Sequence, residues 1–221
     1  MKKTFKTIGT VLICGLLMTA CGGGVGSSKK SGLSKNEFLG NLPALYADWK
    51  LYEDDMDAQA AKLKDEMHTE SGMKKAMAWK EKAEKEFAEK QTVYKEDLKA
   101  EWAKIDGKEV PFTLSDAFSQ TNMQVNRVKF NAEKQQIVAE IVAKADGKGD
   151  SMSFAYYRVL AKDGSVISNG HGFYLGKSGA IKAGESLFHD NTPGTGNHSI
   201  SKNPEKYADF AKIEFIAQSE S

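Results

Sequence analysis

Four parts of this chain carry residue types that do chemistry: "GHGFYLGKSG" (170–179), "FHDNTPGTGNH" (188–198), "EDDMD" (53–57) and the two cysteines, Cys14 and Cys21. The first has the glycines and the lysine of a phosphate loop, in which backbone N–H groups cradle phosphate at a helix start. That loop needs four residues between its first glycine and the Gly-Lys pair. Counting back from Gly176, five separate it from Gly170 and three from Gly172. The following "AIKAGESLF" predicts a turn and a strand, not the required helix, so no nucleotide site is expected. His189, Asp190 and His198 are residue types that bind zinc, and His171 would supply a further ligand to a catalytic site of three protein ligands plus water. They sit in a Gly/Asn/Pro-rich loop with no short-spaced ligand pair on a rigid element. Solvated loop histidines are therefore the expectation, and no metal site is assigned. "EDDMD" lacks the glycine and the ligand spacing of a calcium loop, and on a helix it forms a solvated acidic face. No serine, histidine and acid are marked out as a triad, which geometry and not composition defines. The expectation is no catalytic residue and no cofactor.

The cysteines speak of place. Lys2, Lys3 and Lys6 form a basic start, and Ile8 to Met18 an apolar run of 11 residues. That is too short for a bilayer span of about 20 residues and has the pattern of a cleavable export signal. It ends in Met18-Thr19-Ala20-Cys21, which resembles the lipobox of bacterial lipoproteins. The resemblance implies a diacylglyceryl group on the sulfur of Cys21 and cleavage just before it. Cys14 then leaves with the signal, and no thiol is left for a disulfide, a redox pair or a thiolate metal site. Gly at position 22, where Asp would retain such a protein at the inner membrane, resembles an outer-membrane destination. In a cell without that membrane the expected place is the outer face of the cell membrane.

Removing residues 1–20 takes away three lysines and no acids, turning 31 basic against 30 acidic residues into 28 against 30. A net charge of −2 gives no basic face for nucleic acid. Two or three acyl chains hold a protein on a membrane effectively permanently, at about 0.8 kcal/mol per buried methylene. Residues 22–35, GGGVGSSKKSGLSK, have the composition of a flexible coil spanning about 20 Å.

Next come the elements that would have to position any site. From residue 36 the composition shifts to Ala, Glu, Lys and Met. Phe38, Leu42, Leu45, Trp49, Tyr52, Met56, Leu63 and Met67 recur at steps of three and four, which predicts a helix with one apolar stripe. Asn41 is the expected cap, with Pro43 in the first turn. Met73, Ala76, Met77, Ala83, Phe87, Tyr94, Leu98, Trp102 and Ile105 predict a second helix, with Gly72 as the expected stop between the two. Folded about residues 70–71, an antiparallel hairpin brings Trp49 to Tyr94 and Met56 to Phe87. Its surface is dense in charge, with 12 lysines against 16 acids over 36–105. Pairing of two chains through these helices is the alternative.

Beyond residue 106 the period changes. Residues 123–130, 136–145, 151–161, 165–175, 181–188 and 209–217 read as strands, with a further one within 110–119, separated by Asp-Gly and Asn/Gly turns. Strands with no helices between them predict an antiparallel sandwich. "SFAYYRVLAKDGSVIS" followed by "AIKAGESLF" is similar to the FxLYD-type immunoglobulin-like domains of bacterial lipoproteins, which implies that fold and an accessory role, with no catalytic residue. The expected class is α+β: signal 1–20, lipidated tether 21–35, helical hairpin 36–105 and immunoglobulin-like β-sandwich 106–221.

The function expected is that of a non-catalytic envelope lipoprotein, anchored by Cys21 and acting as a scaffold for an envelope protein partner, with neither nucleic acid nor nucleotide bound. One alternative is a glycan-binding lipoprotein using Tyr156, Phe173 and Tyr174. Another is an envelope hydrolase built on His189 and His198. Trp79 with Tyr46 is a further aromatic candidate for a sugar or a partner helix.

Overall fold

The computed structural model describes residues 30–149, 153–175, 179–187 and 197–220. The chain has two long helices followed by strands, as the periods predict: α1 (Leu42–Glu66), α2 (Glu70–Ile105), then β1 (Phe112–Leu114), α3 (Asp116–Ser119), β2 (Met123–Asn131), β3 (Gln136–Ala143), β4 (Gly147–Gly149), β5 (Ser153–Ala161), β6 (Val166–Leu175), β7 (Gly179–Ile181), α4 (Asn197–Lys202), α5 (Pro204–Tyr207) and β8 (Phe210–Ile216). No helix among the described residues is long and apolar enough to cross a membrane. The chain divides into two compact units. One holds residues 30–32 with Leu45–Leu98, the other Leu33–Ala44 with Lys99–Ser221.

The first unit is the hairpin. Its turn lies at 67–69, earlier than the expected 70–71, because Thr69 and not Gly72 sets the boundary. The Thr69 hydroxyl accepts the Gly72 N–H at 2.9 Å, the bond of an N-cap residue, so Gly72 belongs to the first turn of α2. Glycine is needed there for closeness. A Cβ at 72 would lie 1.8 Å from the Glu66 carbonyl oxygen, so any side chain would force the two helix ends apart. The seam is aromatic where the two helices face: Trp49 stacks on Tyr94 at 4.3 Å and 4°, as the folding of the pattern predicts. Flanking ion pairs such as Lys74–Glu70 (2.7 Å) and Lys90–Glu86 (3.2 Å) are exposed or half-exposed and contribute little.

The second unit contains a four-stranded sheet of order β1-β8-β5-β6 and the antiparallel pairs β2-β3 and β4-β7. Two details depart from the sequence reading. The β1–β8 ladder is parallel, since the chain returns from β7 through α4 and α5 before entering β8. Short helices interrupt the strand region at 116–119, 197–202 and 204–207, each too brief to show a helical period.

Two of the pairs share one register sum. Partner numbers sum to 328 in β5–β6 from Ser153↔Leu175 to Tyr157↔His171, and in β4–β7 from Gly147↔Ile181 to Gly149↔Gly179. The bridge Val142↔Ser186, beside β3, obeys the same sum. The sum recurs in all three places, and because side chains alternate faces with period two, a one-residue slip within either ladder would invert its facing residues.

Phe130 of β2 meets Phe210 of β8 at 6.5 Å and Trp102 of α2 at 6.3 Å, and Phe38 reaches Phe210 at 6.0 Å. Deeper along β8, Phe215 touches Phe118, Tyr157 and Phe173. Of these rings Trp102, Phe118, Tyr157, Phe173, Phe210 and Phe215 are fully buried, among many buried aliphatic side chains.

Two polar residues are buried among the described residues, Asn36 and Glu101. Asn36 donates through Nδ2 to the carbonyls of Ala208 (2.8 Å) and Phe210 (2.9 Å) and accepts through Oδ1 from the N–H groups of Phe38 (2.8 Å) and Leu39 (2.9 Å). Glu101 accepts from the Asn41 N–H at 3.4 Å, just before α1, and from Lys104. Gly40, at φ +61°, passes so close that a Cβ would stand 3.3 Å from the carboxylate. Burial alone would raise the Glu101 pKa, but Lys104 and Asn41 outweigh it and hold the carboxyl below its ordinary 4.5. The folded state thus binds this proton less tightly, and the stability it contributes above pH 4.5 is lost as pH falls through the folded value.

Replacing Asn36 leaves two N–H groups and two carbonyls, one of each buried and one of each part-buried, without that partner. Asn36→Ala is expected to cost about 3 kcal/mol, read as a lowered urea midpoint at unchanged m. A loss below about 1 kcal/mol would show that water or neighbouring groups replace the amide.

Candidate functional site

The surface available for function is built on the hairpin. Along the inner face of α1, Tyr46, Trp49 and Tyr52 fall on successive turns, and α2 brings Phe87 and Tyr94 against them. Trp49 lies 5.3 Å from Tyr52 and 6.0 Å from Phe87, and Tyr46 meets Tyr94 edge-on at 6.4 Å. Lys90 Nζ stands 4.2 Å over the Tyr52 ring, and its charge is paired with Glu86. The Tyr52 hydroxyl is buried with no hydrogen-bond partner, and burial, with the Glu86 charge, pushes its pKa up. Burial likewise raises Tyr94, with Tyr46 and Glu53 adding to it. These phenols stay neutral and serve packing.

Glu53 stands at the edge of this cluster. Burial raises its pKa, the indole of Trp49 opposes by hydrogen bonding, and Asp54 and Asp57 add to the rise. The remaining acids of "EDDMD" behave as an outer face: Asp54 and Asp57 are exposed, and Asp55 accepts from Gln59 at 2.8 Å.

Outside the seam, apolar side chains are left facing solvent. Met77 is 68 % exposed and Met73 40 %, one helical turn apart in the first turns of α2, and Val93 stands out farther along the same helix. Methionine at an exposed position adapts its shape to a partner at low cost.

The residues singled out by the sequence separate. Cys21, His189 and Asp190 lie outside the described residues. His171 falls in the backbone of β6 and His198 in α4, and their side chains are also outside the described set. Among the described residues no group of three or more His, Cys, Asp or Glu is placed to hold a metal ion. Within 170–179, residues 170–175 belong to β6 and Gly179 begins β7.

Phe173 lies in the core, 4.9 Å from Tyr157 and 5.8 Å from Phe215, whereas Tyr156, one residue along from Tyr157, is half-buried. Tyr156 and Phe173 therefore do not share one aromatic face, and the Tyr174 side chain lies outside the described set. Trp79 and Tyr46 are also apart, since Trp79 Nε1 donates to Gln59 at 3.2 Å while Tyr46 is buried against Tyr94.

A cleft of about 450 Å³ opens beside the Asp163-Gly164 turn, lined by Lys162, Asp163, Ser165, Ile167, Lys206 and Asp209. The Asp163 carboxylate accepts the Ser165 N–H at 2.9 Å and is held below its ordinary range by Ser165. It closes a turn.

Comparison with protein-family models, with curated proteins and with solved structures found no match.

The Glu53 shift has a readable consequence. Its folded pKa is raised, so the fold binds the proton more tightly than the unfolded chain, and ionisation at neutral pH works against folding. Glu53→Gln is expected to stabilise the protein by about 0.3 kcal/mol at pH 7, a small gain because solvent screens a half-exposed group. The difference should close as pH falls below 4.5. Thermal melts at both pH values check it, and a less stable variant at pH 7 would contradict it.

Proposed function

We propose that this chain is a non-catalytic lipoprotein of the cell envelope, held to a membrane through Cys21 and acting as a protein-interaction scaffold. The hairpin makes the contact. The strand region, read as an immunoglobulin-like β-sandwich, is an accessory module, and the approach of Phe130 on β2 to Phe210 on β8 supports two facing sheets.

The observation that carries the reading is the division of labour within the hairpin. Its aromatic residues contact one another across the seam, as in the Trp49–Tyr94 stack, which supports pairing of α1 and α2 within one chain. Met73 and Met77 are left outside, on a helix rich in charge. Scattered exposed apolar residues are ordinary, but a pair one turn apart on a charged helix suits a partner surface. The place of work comes from the N-terminal pattern: a basic start, a short apolar run and Met18-Thr19-Ala20-Cys21 support export and acylation. A lipid surface outside the cytosol makes an envelope protein the natural partner.

A photo-crosslinking residue in place of Met77, in intact cells, tests this. The account expects a discrete adduct with an envelope protein that disappears when Met73 is changed to Asp. Cys21→Ser should move the chain from the membrane to the soluble fraction and remove the adduct as well. No adduct in the membrane-bound wild type, or one indifferent to Met73→Asp, would contradict the scaffold reading.

A further inference from the structure

The hairpin unit includes one contact that neither helix needs in order to pair. The N–H of Ser31 donates to Asp48 Oδ1 at 2.6 Å, and Lys30 Nζ stands 3.8 Å from Asp48 Oδ2. The lysine pair is exposed on its own side and contributes little, whereas a carboxylate accepting a backbone N–H is a charge-assisted bond of short length. Asp48 lies in the second turn of α1, and Lys30 and Ser31 are the first described residues of the chain. The contact therefore marks where the N-terminal stretch joins the hairpin. It lies on the flank of the helix, at the end away from the 67–69 turn.

We propose that Asp48 clamps the lipid-anchored chain to the hairpin, so that the first turns of α1 face the lipid headgroups and the 67–69 turn is the distal, presenting end. The proposal rests on the anchoring of Cys21 argued above. Residues 22–29 separate Cys21 from Lys30. Nine steps of chain reach at most about 30 Å even when fully extended. Asp48 is thus kept within that distance of the membrane surface, while Glu66 lies about 27 Å farther along the helix axis.

A rod held near one end against a plane loses the orientations that would drive its free end through the plane. The helices cannot relieve this by entering the bilayer, since no described helix is apolar enough and both are covered with charge. Averaged over what is left, the turn stands farther from the lipid than Asp48 does. Surface charge does not reverse this once the hairpin stands clear, because electrostatic forces fade within about 8 Å at physiological salt. Met73 and Met77, beside the turn, are then carried to the side where a partner arrives.

The test uses the full chain, processed and acylated in a bacterial host, in phosphatidylcholine vesicles with dye-labelled headgroups. Cys14 leaves with the signal and Cys21 is blocked, so a cysteine placed at exposed Lys50 (Lys50→Cys) or His68 (His68→Cys) is a single labelling site. Energy transfer to the headgroups should be clearly greater from 50 than from 68. Equal transfer, or more from 68, in a chain whose mass confirms the lipid overturns the clamp orientation and leaves the anchor standing. A chain without lipid on Cys21 overturns both. Independently of any membrane, the Ser31 amide should exchange slowly in wild type, about tenfold faster in Asp48→Ala, and near the wild-type rate in Asp48→Asn, which keeps an acceptor. A Ser31 amide that exchanges freely in wild type rejects the clamp itself.

Discussion

Asn36 uses all four hydrogen-bonding positions of its side chain on backbone groups. Two donors go to carbonyls at 208 and 210, and its oxygen accepts from the N–H groups of 38 and 39. Its backbone closes a further pair with Gly40, at 2.9 and 3.0 Å. Residues separated by more than 170 positions are thereby fixed to one another in the interior, where unpaired amides would be costly. The start of β8 follows at once, and β8 is the strand that pairs with both β1 and β5. The same short segment ends at Asn41, whose N–H is taken by Glu101 of α2. One amide thus holds the entry to α1 beside the entry to β8, and the carboxylate next to it ties that entry to the end of α2.

Around this polar centre the second unit is held by aromatic rings and paired strands. The rings at 38, 102, 130 and 210 form a chain of contacts near Asn36, and those at 118, 157, 173 and 215 another along β8. β4–β7, β5–β6 and the bridge beside β3 share one register sum. Within β5–β6 the register slips where β5 nears its Asp-Gly turn, between Tyr157 and Leu160, and β2–β3 slips between Val125 and Arg127. The hairpin unit has fewer fully buried residues and depends on the stack of Trp49 with Tyr94 and on the absence of a side chain at Gly72.

The periods of the sequence made the elements legible. Heptad spacing predicted both helices and the Trp49–Tyr94 pair, and β-branched and aromatic runs located the longer strands. The turn was misplaced because glycine normally reads as a stop, whereas Gly72 answers a close approach to Glu66 that sequence spacing does not show. The short helices at 197–202 and 204–207 and the parallel β1–β8 pair are set by tertiary contacts, too brief to leave a period. Among candidate site residues, alternation along β6 could have assigned Phe173 to the core, since it pairs with fully buried Ala155. Asn36 is one polar residue just after the Gly/Ser/Lys-rich stretch 22–35. Its only sequence sign is the turn pattern Asn-x-x-x-Gly at 36–40, and nothing local names partners near 208.

Function follows from where such a molecule is held and what it leaves outside. A self-satisfied hairpin with a methionine pair near its turn suits contact, and a lipid on Cys21 would decide which surface of the cell it serves. The most direct measurement is the intact mass of the processed chain extracted from membranes, with fragmentation of its N-terminal peptide. The account predicts residues 21–221 bearing a diacylglyceryl thioether on Cys21. A chain cut at another position, with a free thiol at residue 21, would contradict it.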